Sequence, residues 1–361
     1  VRVLLDTTYA RRAPRSGTGV YVQQIARALS ELDDITVITT FDERRRPPAA
    51  GGAGSARNAR RDQIWTQVTL PRRARAAAAD VIHHPLPAHA FAAAVPQVVT
   101  VHDLAFELLP QHFAPRYRRY AHLTHRAAAR RAQAVIAVSE ATAQEVHAQW
   151  GVAPERLVVA RHGPGQALEA RQRAQPPAHF LYVGDDEPRK NLGALLDAYR
   201  RYARRAEQPL GLMLAGSMDA GYAAGRIRVE RDPSPGRLSE LHAAAAALVH
   251  PSLDEGFGLT LLEAMALGTP VIAAASPGAR EVCGDAARLV APGDPQALAD
   301  AMEAVAASPA VRFQLTACGR TRAALFSWQL AAQAHLRAYD LALDEDCDPG
   351  HARHPGLLQR L

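Results

Sequence analysis

Short runs of Val, Ile, Leu and Ala, set between stretches of helical periodicity, organise this chain. Val1–Leu5 has the continuous apolar character of a strand buried on both faces, and the SGTG turn at Ser16–Gly19 leads into VYVQQIARALSEL, where apolar residues recur every three and four positions. Strand, glycine turn and helix form the opening unit of a doubly wound α/β domain. Four more β-branched runs, Ile35–Thr39, Val81–His83, Gln97–Val101 and Ala134–Val138, predict a mostly parallel sheet of five strands. Between the second and third strands, FDERRRPPAAGGAGSARNARRD at 41–62 has almost nothing to bury and reads as a mobile surface loop.

A turn-rich stretch at Pro164–Pro177 ends this series, and the rhythm then restarts. Strands are predicted at His179–Val183, Leu210–Ser217, Ala247–Pro251, Pro270–Ala275 and Arg288–Pro292, alternating with the helices NLGALLDAYRRYARR, LSELHAAAA and TLLEAMALG. The predicted organisation is a first domain over 1–165, a linker over 166–178, a second domain over 179–326, a crossover helix over 327–345 and a tail over 346–361.

Composition agrees with two buried cores: the chain has 361 residues, of which 48% are hydrophobic. No apolar run approaches the roughly 18 residues of a membrane span, and the opening shows neither a positive leader segment nor a cleavage site. The expectation is a soluble, cytoplasmic protein. Cys283, Cys318 and Cys347 are far apart, without a CxxC pair or a histidine at ligand spacing, so neither a zinc site nor a disulfide framework is expected.

Charge is uneven along the chain. Residues 1–165 carry 22 Arg against 13 acidic residues, whereas the remainder is slightly acidic. A basic first half suits an anionic membrane surface, a phosphorylated acceptor or nucleic acid, but no nucleic-acid reader module accompanies it, and nucleic acid is not expected as a partner. From Gln111 onward, six Arg interleave with aromatic residues on a predicted helix. That helix reads either as a docking face for an anionic lipid interface or lipid-diphosphate acceptor, or as a solvated surface. Of the 42 basic residues only Lys190 is a lysine, which marks a position that needs a compact ammonium unless it survives by chance.

The segment richest in chemistry is LDEGFGLTLLEAMALGTPVIA, Leu253–Ala273. Glu255, Gly256, Phe257 and Gly258 form a predicted loop, helix runs from Thr260, and Gly268 stops it. Glycines let backbone amides approach a ligand, and a helix start presents unpaired N–H groups, so the turn suits an anion or a polyhydroxyl ligand. Glu263, one turn inside the helix, looks back towards the same pocket. Two carboxylates so placed suit the vicinal hydroxyls of a ribose and a hexose. They read equally as a dipole-favoured loop charge and a solvated helix residue.

EGFGLTLLE followed by AMALGTPVIA resembles the E-x7-E signature of family 4 of the retaining glycosyltransferases, whose fold is GT-B. FLYVGDDEPRKN resembles the family's strand and loop ending in an Arg/Lys pair, here Arg189 and Lys190. SGTGVYV is similar to its first-domain glycine loop, VTVHDL to its His-Asp turn, AVSEAT to its fourth crossing and FSWQLAAQAHLRAYDL to its closing helix, so that the resemblance runs from residue 1 to about 343. It implies two doubly wound Rossmann-like domains around a cleft, with a C-terminal helix returning to the first.

Carried over position by position, the resemblance assigns Glu263 to the ribose, Glu255 to the donor hexose, and the amides of Phe257, Gly258 and Leu259 to the sugar or phosphate. Arg189 and Lys190 would neutralise the leaving diphosphate, with Gly184 also on the donor side. Gly17 and Gly19 would let the first-domain loop close over the donor phosphates. His102 would meet the donor sugar, oriented by Asp103, or else cap a strand end. The implied reaction moves a hexosyl group, mannosyl or glucosyl, from a nucleoside-diphosphate sugar such as GDP-mannose or a UDP-sugar to an acceptor hydroxyl. It proceeds with retention by front-side attack, without metal or cofactor, in polysaccharide, glycolipid or natural-product glycosylation. The basic first domain adds an anionic or lipid-linked acceptor and peripheral contact with the inner membrane face. A sugar-nucleotide 2-epimerase and a catalytically silent partner subunit share the fold and stay open. The DCD triplet, Asp346–Asp348, matches a metal-binding DxD pattern but lies in the tail rather than after a strand. Two departures leave questions: RIRVERDPSPGRLSELH, with His242 where an aromatic is common, does not reveal the base, and RHGPG at Arg161–Gly165 makes Arg161 either a phosphate or acceptor contact or a surface charge.

Overall fold

The computed structural model describes residues 1–43, 58, 60–165, 168–173 and 176–344. Most of the 41–62 loop, parts of the 166–178 linker, the 346–361 tail and the DCD triplet lie outside the described residues.

The described residues form two six-stranded sheets in which all neighbouring strands are parallel. The first contains β1 (Arg2–Asp6), β2 (Thr36–Thr40), β3 (Val81–His84), β4 (Gln97–Val101), β5 (Ala134–Ala137) and β6 (Leu157–Val159), in the order β2-β1-β3-β4-β5-β6. The second contains β7 (His179–Val183), β8 (Gly211–Ala215), β9 (Ile227–Glu230), β10 (Ala245–His250), β11 (Val271–Ala274) and β12 (Arg288–Val290), in the order β12-β11-β10-β7-β8-β9. Every residue of β3, β4 and β5 is buried, as expected when helices cover both faces of a parallel sheet, and the polar members His83, His84, Gln97 and Thr100 are hydrogen-bonded there. Strands β6 and β9 are additions to the sequence reading. Both are short edge strands: β6 is the three-residue run Leu157–Val159, half-buried throughout, and β9 alternates apolar Ile227 and Val229 with charged Arg228 and Glu230, so neither is long enough to stand out as a strand. The alanine-rich helix expected to run through Ala246 ends at Ala244, because Ala245 and Ala246 enter the wholly buried β10. Alanine's helix preference yields there to burial in a central strand.

The glycine turn of the first domain is itself the first turn of a helix, Gly17–Ser30. Ser16 caps it, its Oγ accepting from the Gly19 N–H at 3.0 Å, so the helix begins before the apolar pattern does. A Cβ on Gly19 would overlap the Ala13 carbonyl, which fixes glycine as the residue that lets this turn pack.

Each sheet has one point where the chain reverses its direction of travel across the strands, between β1 and β3 in the first and between β7 and β10 in the second. Ligands of open α/β sheets bind outside the carboxyl ends of the strands at such points. The C-terminal helix Trp328–Leu343 shares the core of the first sheet, packing with Val3, Val81 and Ile136. Its polar contacts run in one direction. His335 Nδ1 donates to the Ala331 carbonyl at 2.7 Å, so its Nε2 accepts from the Tyr21 hydroxyl at 2.8 Å. Tyr21 then accepts from Thr100 (2.8 Å), Thr100 from His83 Nε2 (2.8 Å), and His83 Nδ1 from the Tyr339 hydroxyl (2.9 Å). This relay satisfies every member only while both imidazoles are neutral.

Burial lowers the pKa of His335 to about 4 and that of His242 to about 3, against an unfolded value near 6.5. Unfolding therefore takes up protons below pH 6.5, and the stability these residues contribute, complete above that pH, is lost as the pH falls towards their folded values. Between pH 7 and pH 5 the two together cost about 4 kcal/mol, at about 1.4 kcal/mol per histidine per pH unit below 6.5. Urea melts of the wild type and of a His242→Gln variant at pH 7.5 and 5.0 isolate one histidine's share, the wild type losing more between the two pH values; an equal loss in both proteins would contradict it.

Candidate active site

The carboxyl ends of β7 and β10, at the reversal point of the second sheet, face the first domain across a cavity of about 350 Å³. From the first domain it is lined by Tyr9, Arg15, Ser16, Gly17, His102 and Asp103. From the second come Gly184, Arg189, Lys190 and the run Glu255–Thr260. Two helix N-termini meet there: Gly17 begins one helix, Leu259 begins another, and a Cβ on Gly17 would lie 3.8 Å from Leu259 Cδ1. The first N–H groups of a helix lack intrahelical partners and carry the positive end of its dipole, so two opposed helix starts make the cleft attractive to anions.

Glu255 is the hub of the polar contacts. Its Oε1 accepts from the ammonium of Lys190 and from His250 Nε2 at 3.0 Å, with the Arg189 guanidinium 3.8 Å away. Burial alone would raise this carboxyl's pKa; Lys190, His250 and Arg189 overcome that and hold it well below its ordinary range. Lys190 and Glu255, given separate ligands by the sequence reading, are thus partners of each other. An ammonium has three donors, so Lys190 keeps capacity for a second acceptor while bonded to Glu255. Arg189 is aimed by Glu187, which accepts from its Nε at 3.0 Å.

His102 Nε2 donates to the Pro85 carbonyl at 3.0 Å, and burial lowers the ring's pKa, leaving a neutral imidazole with its Nδ1 lone pair available. Pro85 thus orients His102. Asp103, expected to do so, instead accepts the Ala105 N–H at 3.1 Å and lines the cleft beside it. Gly256 seals the two domains together: Ser139 Oγ and Thr142 Oγ1 both donate to its carbonyl, at 2.5 and 3.2 Å, and a Cβ on Gly256 would overlap the carbonyl oxygen of His102.

Gly19 and Glu263 do not line this cavity. Glu263 is buried in the helix Leu259–Leu267, its Oε1 against Gly165, where a Cβ would meet it. Arg161 is committed elsewhere, to Glu281 at 2.7 Å and Glu140 at 3.2 Å, an ion pair across the domains rather than a phosphate contact.

Residues 15–164 match the description Glycosyltransferase Family 4, and residues 167–322 match Glycosyl transferases group 1. The chain belongs to glycosyltransferase family 4. Among family relatives, the O-antigen chain mannosyltransferase B of Escherichia coli is 29% identical over 68% of this chain and 70% of its own length. The MMP alpha-(1->4)-mannosyltransferase of Mycolicibacterium hassiacum is 30% identical over 60% of this chain, and the match spans 56% of that protein. The solved structure of a sucrose-phosphate synthase from Thermosynechococcus elongatus superposes with a TM-score of 0.71 at 21% identity, covering 94% of this chain and 98% of that one. The fold is GT-B, two Rossmann-like domains facing a cleft.

In and just behind this family 4 cleft the sequence reading missed three groups, of which His162 lines the cavity and His250 and Asp254 adjoin Glu255. His250, at the carboxyl end of β10, was legible only as a lone strand-end histidine. His162 is buried between Tyr21, Phe257 and Trp328, with ring centroids 5.0, 5.0 and 5.3 Å away, and its Nδ1 has no partner. Asp254 is buried beside Glu255 with its Oδ2 unpartnered, and burial together with Asp103 and Glu255 raises its pKa to about 6.

Proposed function

We propose that this chain transfers a mannosyl or glucosyl group from a nucleoside-diphosphate sugar to an acceptor hydroxyl, with retention of configuration and without a metal ion. The observation that carries the reading is the convergence of Arg189, Lys190 and two helix N-termini on one cavity between the domains. In the proposed step the acceptor oxygen bonds to the anomeric carbon as that carbon's bond to the diphosphate oxygen breaks, on the same face. The bonding pair leaves with the diphosphate, and the acceptor proton passes to a phosphate oxygen. Charge grows on the leaving diphosphate, and preorganised cations and amides stabilise it without reorganising. Glu255 and the neutral His102 supply an acceptor on either side for the hydroxyls of the hexose. The mannosyltransferase names of the relatives favour mannose as the sugar. None of the described helices is long and apolar enough to cross a membrane.

Proton NMR of the chain with GDP-mannose and UDP-glucose, in EDTA, tests this. The expected result is slow release of sugar that appears first as the α-anomer from an α-linked donor. A β-anomer would contradict retention, and activity that requires added Mg²⁺ would contradict the metal-free reading.

A further inference from the structure

The reversal point of the first sheet has its own cavity. About 650 Å³ in volume, it opens at Tyr9, which also lines the donor cleft, and at Pro85, whose carbonyl holds His102. It passes Tyr117 and Tyr120 to His89, Phe91 and Leu123, where a second cavity of about 810 Å³ adjoins it. This outer cavity is lined by Arg126, Arg130 and Arg131 and, among the described residues, by no carboxylate.

Two donors there lack partners. Arg126 Nε is buried and unpaired. The second is His89, whose tautomer its neighbours set. Gln97 Oε1 accepts the Ala90 N–H at 2.7 Å, so the Gln97 amide nitrogen is the donor 3.3 Å from His89 Nε2. His89 Nδ1 therefore carries the proton, and it is buried without a partner. Burial, His84 and Arg131 lower the His89 pKa to about 4, which keeps the ring neutral. The Arg131 guanidinium lies 5.3 Å over the Phe91 ring. Beside these cations, Phe91 is 70% exposed and Leu123 67% exposed, two large apolar side chains on one rim. Unpaired donors with cations fit an anion's oxygens, and the adjoining apolar rim fits a hydrocarbon chain.

We infer that these joined cavities are the acceptor site and take a phosphodiester or diphosphate diester that carries an apolar chain on one side and a hydroxyl-bearing group on the other. The anionic group sits among Arg126, Arg130 and His89, the chain lies over Phe91 and Leu123, and the hydroxyl end reaches Tyr9 and His102. The inference rests on the reading that the donor occupies the interdomain cleft, and it explains why the Arg-rich helix Pro115–Arg131 combines cations with exposed aromatic residues.

Calorimetric titration of the full chain with farnesyl phosphate, farnesol and inorganic phosphate tests it. Farnesyl phosphate is expected to bind at least about tenfold tighter than either other probe. The Arg126→Gln/Arg130→Gln variant is expected to lose at least about tenfold in farnesyl phosphate affinity, and Leu123→Ser, at an exposed position that spares the fold, to weaken it as well. Farnesol binding as tightly as farnesyl phosphate would remove the anion site. Inorganic phosphate binding as tightly would remove the chain. An unaffected double variant would overturn the assignment. The donor reading is checked apart: Lys190→Ala should leave farnesyl phosphate binding unchanged while losing nucleoside diphosphate, and the double variant should do the reverse.

Discussion

Lys190→Ala is expected to reduce sugar transfer by about 10²–10³-fold, the cost of removing one preorganised charge from a developing anion. The loss should fall mainly on kcat, because the charge on the leaving diphosphate grows only as the bond breaks. Lys190 is bonded to the buried Glu255, so its removal also leaves that carboxylate with His250 and Arg189 alone. A melting curve beside the kinetics separates the two effects. Lys190→Arg is the sharper test. The chain uses arginine at every other basic position, yet a planar fork does not match the place of an ammonium bonded to Glu255 and, on the proposed reading, to a phosphate. The arginine variant should therefore recover part of the nucleotide affinity and little of kcat. Full recovery would show that charge alone matters at 190.

Gly256→Ala should be nearly as damaging for a different reason. A methyl group there would overlap the His102 carbonyl oxygen and come within 2.8 Å of its carbon, so the added atom forces the domains apart. Separation by even about 1 Å misaligns reacting groups held on opposite domains, at a cost of about 10²-fold in rate. Nucleotide binding, which on the proposed reading uses Arg189, Lys190 and the Leu259 helix start on the second domain and loses only the Gly17 helix start on the first, should weaken by less than the rate does. Thr142→Ala removes one of the two hydroxyls that hold the Gly256 carbonyl and should cost far less, since Ser139 keeps the closer bond. Gly256→Ala with wild-type kcat would mean that the cleft does not work in the closed arrangement.

Much of this site was legible because local sequence and local structure coincide in it. Glu255 to Leu259 form one continuous turn and helix start, so glycine spacing and helical periodicity are enough to find it. Lys190 stood out by composition. What stayed hidden depends on distance along the chain. Arg161 pairs with Glu281, 120 residues away, and nothing near either residue announces the pair. His250 differs from a core histidine only by ending a strand at the reversal point of its sheet, which is known once the strand order is. The Ser16 cap moved the helix start ahead of the apolar pattern, and edge strands β6 and β9, of three and four residues, are too short for their apolar positions to stand out. The acceptor cavity joins residues 84–91 with 123–131, and only the packing of the Pro115–Arg131 helix against the first sheet brings them together.

The central claim is that the interdomain cleft holds the diphosphate of a nucleotide sugar through Lys190 and the two helix starts. Thermal melting of the wild type and Lys190→Ala with UDP, GDP, ADP and dTDP, each in EDTA, tests it most directly. A ligand at a hundred times its dissociation constant stabilises the folded state by about 2.7 kcal/mol. One nucleotide should therefore raise the wild-type melting temperature clearly above the others, with no need for metal, and should lose most of that effect in Lys190→Ala. No response to any of the four, or an equal response in the variant, would contradict the assignment.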